Sequence, residues 1–319
     1  MGALTALEKL VPVVLAFGCG VLLARRKVVP ADSSRAFADY AFLFAVPCYL
    51  FGNIYSSDLG ALFDWRAILA YATTAALAVL TVGVLAGLGG VRDPRGVALR
   101  IMAGVQVNTA YFAVPVFITL FGNAAPIFPV LLFQVCVLTL VIISIMELGR
   151  PERDATAGAG PRLLLRAVGA SLVTPVVLAC NAGILLNLLS LHVPKAVLDG
   201  FSFVGDSASP VALFALGLHL GGSGLTVRGT TREEIGLIAF KCLVFPLMTW
   251  AVCATVFGVD GDWLKYLVLI AAMPAPQNLF IFAQRYDVGV DMSASLVIKS
   301  SVAALFLLPL WMQWAVHVG

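Results

Sequence analysis

Apolar segments of about 20 residues follow one another along nearly the whole chain, separated by short polar breaks. A helix of that length crosses the roughly 30 Å hydrocarbon core of a bilayer. Of all residues, 61% are hydrophobic and only 12% are charged, whereas soluble domains carry roughly 25% charged residues. A soluble fold could not bury this much apolar surface. The sequence therefore predicts an all-α integral membrane protein whose partner is the lipid bilayer.

Ten transmembrane helices are predicted from the apolar runs. They cover approximately residues 5–24, 36–56, 65–89, 97–121, 125–147, 165–190, 196–219, 235–257, 263–284 and 293–316. The first run is expected to be a retained span, because Arg25, Arg26 and Lys27 follow it, whereas a cleavable signal carries its positive charge before the apolar region. The linker 148–163 then divides the chain into two five-helix repeats, 1–147 and 164–319.

The loop charges predict the orientation of these helices. Fourteen Lys and Arg residues fall in loops on one predicted side and four on the other. Loops rich in Lys and Arg stay in the cytoplasm. We therefore expect a multi-pass protein of the cell (inner) membrane with both termini extracytoplasmic.

The two halves resemble each other in sequence. Pro30 is followed by an apolar helix expected to break at Pro47, and Pro194 by one expected to break at Pro210. Because five is an odd number of spans, the two halves have opposite orientations and form an inverted repeat. Interrupted helices at matching positions of such repeats indicate a transport site.

The fourth and ninth spans carry polar residues and prolines at their centres. Proline interrupts a helix, and interrupted backbone at membrane depth must line a cavity or be buried by protein. Half-helix N-termini carry partial positive charge, which suits an anion. The predicted substrate-binding residues are Asn108, Thr109, Tyr111, Pro115, Pro274, Pro276, Gln277 and Asn278. The alternative is that the prolines only kink packed helices and the amides tie helices together.

Three charged residues lie deep in predicted spans, where a charge is costly and therefore a functional candidate. Asp206 in the seventh span is a candidate proton or cation site, or a group paired with a lysine. Lys241 and Lys299 either extend toward the cytoplasmic interface or lend positive charge to a bound carboxylate. These residues are the candidates for charge or ion coupling.

Signatures of other functions are missing from the sequence. It contains no HExxH, GxSxG or phosphate-binding motif, no CxxC pair among its six cysteines, and no cluster of basic residues typical of nucleic-acid binding. We therefore expect no catalytic residues, no metal, no cofactor and no nucleic-acid partner. The chain is predicted not to be an enzyme.

These motifs resemble those of the auxin efflux carrier family, which includes the plant PIN-type auxin exporters and bacterial organic-acid carriers. The resemblance is carried by Asn108-x-x-Tyr111-x-x-x-Pro115, with Gly122 closing the span, and by Pro274-x-Pro276-Gln277-Asn278 followed by Gln284-x-Tyr286. The Arg25-Arg26-Lys27 loop and the later Ala45-Val46-Pro47 are also similar to the family's opening. The resemblance extends over essentially the whole chain.

The resemblance implies a ten-helix inverted-repeat fold, similar to bile-acid symporters and sodium/proton antiporters, with crossover helices four and nine. It implies a homodimer and an elevator mechanism, with helices 1, 2, 6 and 7 as scaffold and helices 3–5 and 8–10 as the moving part. The short linker fits the bacterial branch, whose substrates are small carboxylates such as malonate or malate.

The leading hypothesis is thus a secondary transporter that exports a small organic anion, with its site at the crossover of helices 4 and 9. The alternative is a sodium-coupled organic-anion symporter of the bile-acid type. A receptor or sensor without transport is a third class, which would normally need an appended soluble signalling domain.

Overall fold

A computed structural model describes residues 3–149, 173–222 and 229–318, and within these ranges its secondary structure is helical, with no strand. The predicted linker beyond residue 149 and the start of the predicted sixth span, 165–172, lie outside the described residues. The helices, labelled in chain order, are α1 Ala3–Arg25, α2 Ser33–Tyr55, α3 Trp65–Leu88, α4 Pro94–Val105, α5 Val114–Phe121, α6 Ile127–Leu148, α7 Pro175–Leu188, α8 Lys195–Gly222, α9 Arg232–Val256, α10 Gly261–Ala271, α11 Asn278–Arg285 and α12 Val290–Val318. A single helical turn, Leu59–Leu62, lies between α2 and α3.

Six helices in the described ranges are long and apolar enough to cross a membrane. They are α2, α3, α6, α8, α9 and α12. The predicted class, an all-helical multi-pass membrane protein, is confirmed. Two of the predicted spans are instead pairs of shorter helices, α4 with α5 and α10 with α11.

Several prolines inside the apolar helices follow a wider π-helical turn. Pro47 follows the π turn Ala41–Ala45 of α2, and Pro246 follows the π turn Phe240–Val244 of α9. Proline has no N–H, and its ring clashes with the carbonyl four residues earlier. A π turn inserts one extra residue and relieves this conflict without ending the helix. The break expected at Pro47 is therefore wrong, because α2 continues through it.

A break does occur in α8, just before Pro210. The helix is interrupted at Asp206–Ser207, between the segments Lys195–Gly205 and Ala208–Gly222. Pro210 itself is the third residue of the second segment, so the interruption lies four residues earlier than the proline.

The chain divides into two compact units. Unit 1 comprises Met1–Asp64, Thr109–Phe128 and Leu172–Thr226, and unit 2 comprises Trp65–Asn108, Pro129–Ser171 and Val227–Gly319. Unit 1 contains α1, α2, α5, α7 and α8. In it, α1 packs closely against α8 through Gly20 and Gly217, where an added Cβ on Gly217 would lie 2.2 Å from the Phe17 carbonyl oxygen. Small residues allow this approach, and a larger residue would force the helices apart.

Unit 2 contains α3, α4, α6, α9, α10, α11 and α12, and aromatic side chains fill part of its core. The Tyr71 ring contacts Phe133 and Phe245 edge-on, with centroids 6.1 Å away in both cases. The indole N–H of Trp311 donates to the Cys242 carbonyl at 2.9 Å. That carbonyl lies four residues before Pro246, so Trp311 satisfies the acceptor that the proline leaves without a helical partner.

Candidate functional site: two extended segments in unit 2

Unit 2 contains two extended segments at positions where helices stop inside apolar sequence. Helix α4 ends at Val105, and Gln106 adopts extended backbone with φ −67° and ψ 150°. Helix α10 ends at Ala271, and α11 begins at Asn278, with Pro274 and Pro276 in the non-helical backbone between them. We call residues 106–108 the first extended segment and residues 272–277 the second extended segment.

The two extended segments meet through their backbones. The Asn108 N–H donates a hydrogen bond of 2.9 Å to the Pro274 carbonyl. Asn108 is buried, with 3% of its surface exposed, and both prolines of the second extended segment are buried too. Because proline carries no N–H, each one removes a donor that would otherwise need a partner at this depth. The sequence thus allows a non-helical crossing inside an apolar protein.

Polar side chains of α6 form hydrogen bonds with the first extended segment. The Val107 N–H donates to the Gln134 Oε1 at 2.7 Å, and the Gln106 Nε2 donates to the Thr139 Oγ1 at 2.9 Å. Gln134 begins a π turn of α6, Gln134–Leu138. An unpaired N–H at this depth would cost free energy comparable to a lost hydrogen bond, and these side chains remove that cost.

A serine of α12 supports the second extended segment in the same way. The Ala275 N–H donates to the Ser300 Oγ at 3.2 Å, and Ser300 is 1% exposed. Sequence reasoning missed Gln134, Thr139 and Ser300. A signal was nevertheless present, because Gln134 and Thr139 interrupt an apolar run and Ser300 directly follows Lys299 within a predicted span.

Lys241 on α9 lies at the end of the half-helix α4. Its Nζ donates to the Val105 carbonyl at 3.4 Å and lies 4.6 Å from the centre of the Phe245 ring. The residue is 1% exposed, so the expectation that it extends toward the cytoplasmic interface is wrong. Helix C-termini carry partial negative charge, and the Lys241 ammonium is positioned to balance that charge on α4.

Lys299 forms an ion pair with Glu234. Its Nζ lies 3.1 Å from the Glu234 Oε2. Glu234 is 4% exposed and forms a capping box with Thr231 at the start of α9. The charge of Lys299 is thus balanced by a carboxylate in unit 2, and the pair fixes α12 against α9.

The exit from the second extended segment is more accessible than its centre. Gln277 is half-buried, and Asn278, the first residue of α11, is exposed. An exposed amide at a helix N-terminus is a suitable donor for an anion, because this end of the helix carries partial positive charge.

The remaining predicted site residues of the fourth span belong to unit 1. Thr109 begins the π turn Thr109–Ala113 and is buried, and Tyr111 lies in the same turn, with its side chain outside the described part of the structure. Pro115 lies at the start of α5. The break predicted at Pro115 is wrong in position, because the preceding π turn accommodates the proline and the interruption lies at residues 106–108.

Pro115 is nevertheless held by a polar contact within unit 1. Its carbonyl accepts from the Ser209 Oγ at 2.7 Å and from the Thr119 Oγ1 at 2.9 Å, and the two hydroxyl oxygens are 2.6 Å apart. Ser209 belongs to α8, so these hydrogen bonds join α5 to the second segment of α8.

Asp206 follows the first segment of α8 and is exposed. Next to it, the Ser207 Oγ lies 2.9 Å from the Tyr40 hydroxyl and donates to the Val204 carbonyl at 2.6 Å. This acidic residue, predicted from the sequence to lie deep in a span, thus lies at a helix interruption in unit 1, next to a residue with a hydroxyl group. Across the described ranges, no group of three or more His, Cys, Asp or Glu residues could hold a metal ion.

Interrupted helices that meet through extended, buried backbone inside an all-helical membrane protein are typical of membrane transporters. The family model described as membrane transport protein matches residues 5–312. The chain therefore belongs to this family, the auxin efflux carrier family that its motifs resemble.

Individual relatives agree with that membership. A protein named as a malonate transporter from Rhizobium meliloti is 24% identical over 132 residues, which is 41% of this chain and 40% of the relative. An uncharacterized transporter from Methanothermobacter thermautotrophicus is 25% identical over 309 residues, 96% of each protein. Auxin efflux carrier component 3 of Arabidopsis thaliana is 28% identical over 112 residues, 35% of this chain and 17% of the relative.

Proposed function

We propose that the protein is a secondary transporter that exports a small organic anion such as a carboxylate. The observation that carries this proposal is the hydrogen bond from the Asn108 N–H to the Pro274 carbonyl, 2.9 Å long. It joins the two extended segments inside a membrane transporter, where non-helical backbone indicates a substrate path.

The chemistry around the extended segments favours an anion. Asn108 and Asn278 would hydrogen-bond a carboxylate, and the N-terminus of α11 would add partial positive charge. Thr109, Tyr111 and Gln277 are proposed as further polar contacts, and the prolines keep the segments non-helical. Because one relative is named as a malonate transporter, malonate is the first substrate to test.

We also propose how the helices are used. The expected scaffold helices 1, 2, 6 and 7 correspond to α1, α2, α7 and α8, and all four belong to unit 1. The expected moving helices 3–5 and 8–10 supply the described helices of unit 2, whereas α5, the second half of the fourth span, groups with unit 1. This grouping supports an elevator mechanism, and we propose it for a homodimer of ten-span inverted-repeat chains. Insertion in the cell membrane with both termini extracytoplasmic follows from the loop charges.

Exchange of radiolabelled malonate by proteoliposomes tests the proposed site. The wild-type protein should exchange the label. A variant combining Asn108→Ala with Asn278→Ala should exchange it at least tenfold more slowly. Asn181→Ala is the matched control, because Asn181 is an exposed asparagine on α7, and it should exchange normally. Exchange by the double variant at the wild-type rate would refute the site.

The same vesicles separate the proposed exporter from a sodium-coupled symporter. Imposing a sodium gradient at constant membrane potential should leave the malonate rate of the wild-type protein unchanged. Uptake that rises with the sodium gradient would replace our proposal with the symporter of the bile-acid type.

A further inference from the structure

A cavity of about 590 Å³ opens between α3 and α9 in unit 2, away from the extended segments. Val82, Leu85, Phe240 and Val244 are among the apolar residues that line it. Its volume lies within the roughly 300–1,000 Å³ typical of pockets for small molecules. The transport site described above uses none of these residues.

The cavity faces the lipid side of the protein. Leu85 is 56% exposed and Val244 is 41% exposed, and both belong to helices long and apolar enough to cross a membrane. In a bilayer these exposed surfaces contact acyl chains. The molecules that can enter the cavity from this side are therefore lipids.

One end of the cavity carries charge. Arg100, Arg232 and Glu233 line it there, beside Gly89, which directly follows the last residue of α3. Arg100 pairs with Glu233, and Arg232, the first residue of α9, is exposed. Two guanidinium groups against one carboxylate leave this end with net positive charge. Because both helices end here, the charge lies at the level where lipid headgroups lie.

We propose that this cavity binds an anionic glycerophospholipid. One acyl chain lies along the apolar wall, and the phosphate contacts Arg232 with support from Arg100. Arginine suits this role because its planar guanidinium donates to phosphate in a bidentate manner. Basic pockets between transmembrane helices bind anionic headgroups by the same physics.

A glycine of α9 allows the cavity to be filled without disturbing the helices. Gly236 lines the cavity, and a Cβ added there meets no atom within 4 Å. Gly236→Leu should therefore occupy the space of the acyl chain. Gly87→Leu is the matched control, since Gly87 lies on α3 outside the cavity and its added Cβ also meets nothing within 4 Å.

Native mass spectrometry of the protein released from nanodiscs tests the proposal. Phosphatidylglycerol and phosphatidylcholine with identical acyl chains are compared at equal concentration. The wild-type protein and Gly87→Leu should retain phosphatidylglycerol at least fivefold more often than phosphatidylcholine. Gly236→Leu should lose that bound lipid, although its melting temperature should match that of Gly87→Leu.

Arg232→Gln tests the headgroup contact separately. It should lower the preference for phosphatidylglycerol about fivefold, as expected for removing one basic residue beside an anionic lipid. Arg66→Gln, at the opposite end of α3, should keep the preference. Equal retention of the two lipids by the wild-type protein, or full retention of phosphatidylglycerol by Gly236→Leu, would overturn the proposal.

Discussion

At the scale of single residues, Lys241 and Lys299 differ in the groups that balance their positive charge. Lys299 has a carboxylate partner at 3.1 Å, whereas the contacts of Lys241 are a carbonyl at 3.4 Å and an aromatic ring. Balancing a helix C-terminus contributes at most about 2 kcal/mol, and a cation–π contact about 0.5–2 kcal/mol. Removing an ammonium from water costs several kcal/mol. The net contribution of Lys241 to stability is therefore close to zero.

Lys241→Met should separate stability from function. Methionine has nearly the same length and needs no hydration, so the free energy of unfolding should stay within about 1 kcal/mol or rise. Malonate exchange should fall at least tenfold, because Val105, whose carbonyl the lysine binds, lies three residues before Asn108. Unfolding in mixed micelles and exchange in proteoliposomes measure the two quantities.

Lys265→Met is the control for this substitution. Lys265 pairs with Asp262 at 3.3 Å, and that carboxylate is 73% exposed, so the variant should keep both stability and exchange. Loss of about 3 kcal/mol or more in Lys241→Met would contradict our account, since a drop of that size marks a buried pair needed for folding.

At the scale of helices, the two extended segments should behave as one structural element. Gln134 supports the first, Ser300 supports the second, and the Asn108 N–H joins them. Gln134→Leu leaves the Val107 N–H unpaired and should cost about 1–3 kcal/mol. Because the supports belong to one hydrogen-bond network, their losses should not add.

A double-mutant cycle measures this coupling. The free energies of unfolding of Gln134→Leu, Ser300→Ala and the double variant are compared with that of the wild type, and the interaction energy should be at least about 0.5 kcal/mol. Pairing Gln134→Leu with Ser144→Ala, an exposed serine bonded within its own helix, should give additive losses. Additivity in the main cycle would mean that the extended segments are independent.

The prolines show which helix interruptions could be predicted from the sequence. Pro274 and Pro276 are two residues apart, so no single π turn relieves both, and the helix stops as expected. Pro115 and Pro47 stand alone, and a π turn before each lets the helix continue. Local sequence gives the steric conflict, but the way in which it is relieved depends on neighbouring helices.

At the scale of the whole molecule, composition alone predicted the membrane class, and the motifs predicted the family. The partners that hold the site could not be predicted in this way. Gln134 and Val107 are 27 residues apart, and Ala275 and Ser300 are 25 residues apart. Helical periodicity describes which residues share a face of one helix, and it carries no information about which helix packs against that face.

The central claim is that a carrier binds an organic anion at the extended segments and exposes it alternately to both sides of the membrane. Cysteine accessibility at Gln277, which is half-buried beside Asn278, tests this claim most directly. Gln277→Cys is made in a protein whose six native cysteines are replaced by alanine. A membrane-impermeant thiol reagent is then applied to vesicles of each orientation. Arg26→Cys and Ser56→Cys serve as controls that should each react from one side only, because these exposed residues lie before and after α2, at its two ends.

We predict that Gln277→Cys reacts from both sides, and that saturating malonate slows the reaction at least fivefold. Reaction from one side only, or at the same rate with and without malonate, would contradict the account.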